Sequence, residues 1–222
     1  MITLACLDMA GTTVRDDGLV DAAFAAAMDG IGLDPSALAA AREHVHRTMG
    51  LPKQVVFRHI VGDDDLAARC VELFDAAVLA EIEAGRVAPI DGAEAAFGQM
   101  RASGITVCLT TGFTEDVQTA LIAALGWGDL IDLALCPGPG VRGRPFPDLV
   151  LRAALRSEVD DVRDIAVVGD TANDLLSGHR AGAGILVGVL SGSHGRDELE
   201  AGPHTHLIDS VRTLPDVLGL GA

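Results

Sequence analysis

The chain has no tyrosine, one tryptophan and six phenylalanines among 222 residues. Its core must therefore be filled mostly by Ala, Val, Leu and Ile, which a 49% hydrophobic content supplies, and disorder is not expected. The four cysteines, Cys6, Cys70, Cys108 and Cys136, lack CxxC spacing, and Cys6 and Cys108 sit in apolar runs. Buried free thiols in a reducing cytoplasm are expected, rather than a zinc or disulfide framework. Basic charge is scarce: 16 Lys and Arg face 32 Asp and Glu, a formal net charge of −16. That argues against broad nucleic-acid binding and against anionic membranes. It leaves room for a small phosphate-bearing substrate where cations gather locally. No basic-apolar-small leader opens the chain, and no uninterrupted apolar run is long enough to span a bilayer. A cytoplasmic protein without nucleic-acid or membrane partners is expected, and a homodimer is compatible with the sequence.

What is present begins with Met1-Ile2-Thr3-Leu4-Ala5-Cys6-Leu7-Asp8-Met9-Ala10-Gly11-Thr12-Thr13. An apolar run ending in turn residues reads as a buried strand, with Asp8 at its carboxyl end. Such a carboxylate is a metal ligand, a nucleophile or simply a cap of the next turn. Two more apolar runs end in polar groups: Ile105 to Thr111, and Ile165 to Asp170. Further short strands are expected within Leu130–Cys136, Gly184–Val189 and His206–Ile208. Helical stretches separate them, at Ala93–Ser103, Glu115–Leu125, Asp148–Arg156 and Asn173–Ala181. Alternating strands and helices predict an α/β fold with a mostly parallel sheet covered on both faces. Residues 15–87 break this pattern. They read as helices only, with Asp34-Pro35 and Asp63 as start signals. The expected organisation is a Rossmann-like core, 1–14 and 88–222, with an inserted helical cap, 15–87.

In a parallel sheet Asp8, Thr111 and Asp170 share one edge. Asp170 opens Gly169-Asp170-Thr171-Ala172-Asn173-Asp174, where two carboxylates four apart cross a strand-to-helix turn. That spacing suits a hard divalent cation such as Mg²⁺. Arg144 lies between the second and third strand ends in the sequence.

These residues resemble the haloacid dehalogenase superfamily of phosphotransferases. Its first motif, DxDGT, is similar to Asp8-Met9-Ala10-Gly11-Thr12. Its second, a strand ending in Ser or Thr, matches Thr111 before Gly112. Its third, a basic residue before a proline, matches Arg144-Pro145, and its fourth, GDxxxD, matches Gly169, Asp170 and Asp174. The resemblance implies an aspartyl-phosphate on Asp8 and a Mg²⁺ held by Asp8, the Ala10 carbonyl, Asp170 and Asp174. It implies phosphoryl contacts from Thr12, Thr111, Gly112 and Arg144. Most phosphatases of the family carry a second Asp where this chain has Ala10. The subgroup with D-x-A-G-T-T and an arginine third motif is phosphonoacetaldehyde hydrolase and its relatives. There a cap lysine forms a Schiff base with the substrate aldehyde, and Met49-Gly50-Leu51-Pro52-Lys53 looks like that segment. Two positions depart from the subgroup. Its cap histidine is replaced by Val56, with His59 the nearest candidate substitute, and its Thr-Gly-Tyr is Thr111-Gly112-Phe113 here.

Lys53 follows Pro52 at an expected helix start, where the helix dipole and Arg47 would disfavour an ammonium. Three roles stay open: Schiff-base amine, cation holding a substrate anion, and solvated surface lysine. The function expected is a Mg²⁺-dependent hydrolase of a small phosphonate. The alternative is a phosphate monoesterase or phosphomutase in which Lys53 only binds substrate. His44 and His46 face different sides of a helix, His194 reads as structural, and His204 and His206 as surface.

Overall fold

A computed structural model describes residues 1–221, Pro35 by its backbone alone. Six strands form one sheet: β1 (Leu4–Asp8), β2 (Thr106–Thr110), β3 (Leu133–Leu135), β4 (Ile165–Gly169), β5 (Ile185–Val189) and β6 (His206–Ile208). All pairs are parallel, in the order β3-β2-β1-β4-β5-β6. Parallel neighbours need crossovers, and helices supply them. After β1 come α1 (Leu19–Gly30), α2 (Pro35–Arg47), α3 (Lys53–Val61), α4 (Asp64–Glu83) and α5 (Ala93–Ala102). The remaining strands are separated by α6 (Glu115–Ala124), α7 (Asp148–Arg156), α8 (Ala172–Ala181) and α9 (Arg196–Glu200), and α10 (Leu214–Val217) follows β6.

Why β1 reads as an unbroken apolar run is clear from its place. Side chains alternate across the sheet, and both faces are covered. Ala5 and Leu7 join a buried cluster with Phe97 of α5 and Leu121 of α6. Leu4 and Cys6 face the other way, toward Leu149 of α7 and Leu175 of α8. The chain runs outward from β1 to β3, then returns to the far side of β1 as β4. The strand order reverses at β1 and β4, where open α/β sheets bind ligands at the carboxyl edge.

Four helices and no strand lie between β1 and α5. The start signals read in the sequence are the ones used. The Asp34 carboxylate accepts the Ser36 N–H at 2.8 Å, and that of Asp63 the Leu66 N–H at 2.8 Å. α4 is the long member, and α1 and α3 both pack on it. The scarce aromatics concentrate there. Phe24, Phe57 and Phe74 follow one another at 6.0 Å ring spacing, and Phe74 lies 6.1 Å from Phe113, which follows β2. Four of the six phenylalanines thus join the helical segment to the sheet edge. All four cysteines are free. Among the described residues no helix is long and apolar enough to cross a membrane.

Candidate active site

Asp8 is the last residue of β1, Thr111 follows β2 directly, and Asp170 follows β4 directly. Asp174 lies in the first turn of α8, where Thr171 and Asp174 cap the helix reciprocally. The carboxylates of Asp8, Asp170 and Asp174 converge, offering oxygens within 4.8 Å of one another, all buried. Each is oriented by neighbours. Asp174 Oδ2 accepts the Thr171 hydroxyl at 2.5 Å, and its Oδ1 pairs with the Arg144 guanidinium. Asp170 accepts the Ser193 N–H at 2.7 Å and the Thr12 hydroxyl at 3.3 Å. Asp8 Oδ1 accepts Arg144 Nη1 at 2.6 Å, whereas Oδ2 meets no donor among the described residues. Gly11, at φ +82°, permits this closeness: a Cβ there would lie 2.6 Å from Asp170 Oδ2.

Three buried acids repel one another. Burial holds the Asp8 carboxyl well above its usual range, with Asp174 and Asp170 adding to it against the pull of Arg144. Burial, then Asp174, pushes the Asp170 carboxyl up to about 6. Burial alone would lower the Arg144 pKa, but Asp174 and Asp8 more than offset it, so the guanidinium stays charged. Three carboxylates against one guanidinium leave a negative excess that a divalent cation would neutralise. The oxygen-only donor set is the one Mg²⁺ prefers. The Ala10 carbonyl accepts no hydrogen bond among the described residues and is available to the same ion.

A small cavity of about 30 Å³ lies over Asp8, walled by Ala10, Met49, Lys53, Thr111, Gly112, Phe113, Arg144 and Asp170. The N–H groups of Ala10 and Gly112 meet no acceptor among the described residues. Lys53 enters from the start of α3. Its Nζ lies 5.2 Å from the Phe74 ring centre and 5.5 Å from that of Phe113. Burial, then Arg144, pulls its pKa down to about 8, against Asp16, Asp8 and Asp75.

A profile of the haloacid dehalogenase-like hydrolases matches residues 2–182. The chain belongs to that family. Phosphonoacetaldehyde hydrolase of Syntrophobacter fumaroxidans is 30% identical over 202 residues, covering 84% of this chain and 72% of that protein. Probable phosphatase IndB of Dickeya dadantii is 28% identical over 225 residues, covering 99% and 93%. The crystal structure of a phosphonoacetaldehyde hydrolase like protein from Oleispira antarctica superposes with a TM-score of 0.82 at 25% identity, covering 98% and 91%. The α/β fold with a parallel sheet and the hydrolase class expected from the sequence are thereby shown.

Within this haloacid dehalogenase-like hydrolase, two expected site residues do not line the cavity. His59 is stacked on His44, ring centres 4.1 Å apart, in a separate groove with Arg47. It is six residues beyond Lys53, which at about 100° per residue puts it about 120° around α3 from the cavity. Val56 occupies the Lys53 side of the helix. Thr12 does not line the cavity but holds Asp170. Arg47 is not what depresses Lys53. It pairs with Glu43 on the surface, and the work is done by burial and Arg144. His194 is buried, its Nδ1 accepting the Ala172 N–H at the start of α8. Ser191 and Asn173 are not among the expected site residues. Ser191 donates to the Gly11 carbonyl at 2.8 Å, and Asn173 to the Met49 carbonyl at 2.7 Å. Their one sequence signal is position, just past the carboxyl ends of β5 and β4.

Proposed function

We propose that this hydrolase transfers a phosphoryl group from a small phosphonate of the phosphonoacetaldehyde type to Asp8, using Lys53 as a Schiff-base amine. Residues 15–87 serve as the cap that delivers Lys53. The observation that carries the reading is a half-buried lysine in the same cavity wall as Asp8, its amine between the Phe74 and Phe113 rings, where burial and Arg144 lower its pKa to about 8. A lysine with a lowered pKa is a usable amine nucleophile. Lys53 is also the one lysine of the chain.

The Lys53 amine adds to the aldehyde carbon and water leaves, giving a protonated imine. The carbon–phosphorus bond then breaks as Asp8 Oδ2 takes the phosphorus. Its electron pair moves into the imine, which becomes an enamine. A proton returns to carbon, and one water releases the aldehyde from Lys53 while another releases phosphate from Asp8. Because the leaving carbon is stabilised by the nitrogen, no acid is required at position 10, and Ala10 suffices. Arg144, the Thr111 hydroxyl and the N–H groups of Ala10 and Gly112 bind the phosphoryl oxygens. Asp8, the Ala10 carbonyl, Asp170 and Asp174 would hold Mg²⁺, which when bound offsets charge between Asp8 and the phosphoryl group.

A second reading is a phosphate monoesterase or phosphomutase in which Lys53 only holds the substrate anion. Similarity to the Dickeya phosphatase over 99% of the chain favours it, as do Val56 and Phe113. Phosphate release separates the two. Wild type should release phosphate from phosphonoacetaldehyde, and Asp8→Asn and Lys53→Arg should each lose at least ~100-fold. A Lys53→Arg variant with near wild-type turnover on phosphate esters, in a protein inert to the phosphonate, would establish the second reading instead.

A further inference from the structure

Thr114 holds the N-cap position of α6, where a threonine hydroxyl ordinarily accepts an N–H from the first helical turn. It makes no such bond. The hydroxyl instead donates to Asp75 Oδ2 on α4, 2.7 Å away. The other oxygen, Asp75 Oδ1, is buried with no partner among the described residues. A forgone cap and a buried carboxylate oxygen without a donor are both unfavourable, so the pair is not explained by local stability.

Its location explains it. The residue before Asp75 is Phe74 and the residue before Thr114 is Phe113. These are the two rings that flank Lys53 Nζ, and both are buried. We propose that Asp75 and Thr114 are positioning residues for Lys53, clamping α4 to the start of α6 so that Phe74 and Phe113 form a water-poor slot around its amine. This builds on the reading of Lys53 as an amine nucleophile. The charged groups facing Lys53 are Arg144 from the loop before α7, Asp16 after β1, Asp8 at the end of β1 and Asp75 from α4. The slot removes hydration that an ammonium needs, and the ring faces return only part of it as cation–π attraction. Asp75 acts in two opposed ways. Its hydrogen bond closes the slot, which disfavours the ammonium, and its charge favours it.

The two effects are separable by substitution. Trace acetylation with acetic anhydride, read by mass spectrometry on the Lys53 peptide across pH, reports the free amine without any substrate. The wild-type midpoint should fall near 8. Thr114→Val keeps the shape but removes the donor, so the slot opens and the midpoint rises by a unit or more. That means at least about tenfold less labelling at neutral pH. Thr114→Ser restores the donor and should label like wild type. Asp75→Asn still accepts from Thr114 but carries no charge, so its midpoint should move below 8. Folded Thr114→Val and Asp75→Asn variants that both label like wild type would overturn the proposal. So would equal shifts in Thr114→Val and Thr114→Ser, or a wild-type midpoint near 10.5. A failure of the Schiff-base reading would show itself differently, as normal labelling without any imine.

Discussion

An imine forms from a neutral amine, and the Lys53 amine becomes neutral as pH rises through about 8. The kcat/KM for an aldehyde-bearing phosphonate should therefore climb with pH to a plateau above about 8. A lysine that acts only as a cation gives the reverse limb, with activity falling above that pH. A pH–rate profile from 6 to 9.5 distinguishes the two, and a falling limb alone would contradict the amine role. The sign for stability follows from the same depression. Between about 8 and the ordinary lysine value of 10.5 the unfolded chain binds more protons, so Lys53 makes stability rise with pH there. Asp8, Asp170 and Asp174 were legible together because they sit at or just past the ends of β1 and β4, and Arg144, in the loop between β3 and α7, was legible through the proline that follows it. The cause of the Lys53 shift was not, since Arg144 lies 91 positions away in sequence and the two aromatic rings come from different elements. His59 misled because nearness in sequence says nothing about which helix face reaches the cavity.

At the scale of elements, the short connection from α2 to α3 rests on the loops of the sheet edge. Gly50 sits at φ +82°, and a Cβ there would lie 2.6 Å from Thr171 Oγ1. Leu51 presents its carbonyl 2.7 Å from where a Gly112 Cβ would be. Gly50→Ala would strain the backbone and push this connection, with Lys53 behind it, away from α8. We expect kcat/KM to fall at least ~10-fold while stability changes by only ~1–2 kcal/mol. Steady-state kinetics beside urea melts would check this, and unchanged kinetics in a folded variant would contradict it. The longer helices were readable from caps and periodicity, with ends correct to within a few residues. The five residues of α9 and four of α10 are too short to show a period.

On the scale of the molecule, a chain of net charge −16 folds around three buried carboxylates. Burying like charges is unfavourable, so a cation that binds the folded state should stabilise it. Mg²⁺ should raise Tm at pH 7.5. The rise should shrink at pH 5, because the Asp170 carboxyl, raised to about 6, then holds a proton that competes with the metal. Thermal melts with and without Mg²⁺ test this, and an equal or absent shift at both pH values would contradict the assignment. The cavity over Asp8, about 30 Å³, has room for about one water, not for a phosphonate. On the proposed function, α1–α4 would move relative to the sheet to admit substrate, and scattering that shows the same shape with and without a phosphate analogue would count against that motion.

The central claim joins two residues in one reaction, Asp8 taking the phosphoryl group and Lys53 holding the aldehyde. Borohydride reduction in the presence of phosphonoacetaldehyde, followed by mass spectrometry, tests it most directly. Because Lys53 is the one lysine, the trapped imine can be located without ambiguity against the N-terminal amine. The account predicts a reduced adduct on Lys53 in wild type, retained in Asp8→Asn and absent in Lys53→Arg. No adduct on Lys53, in a protein that still hydrolyses phosphate esters with full dependence on Asp8, would contradict it.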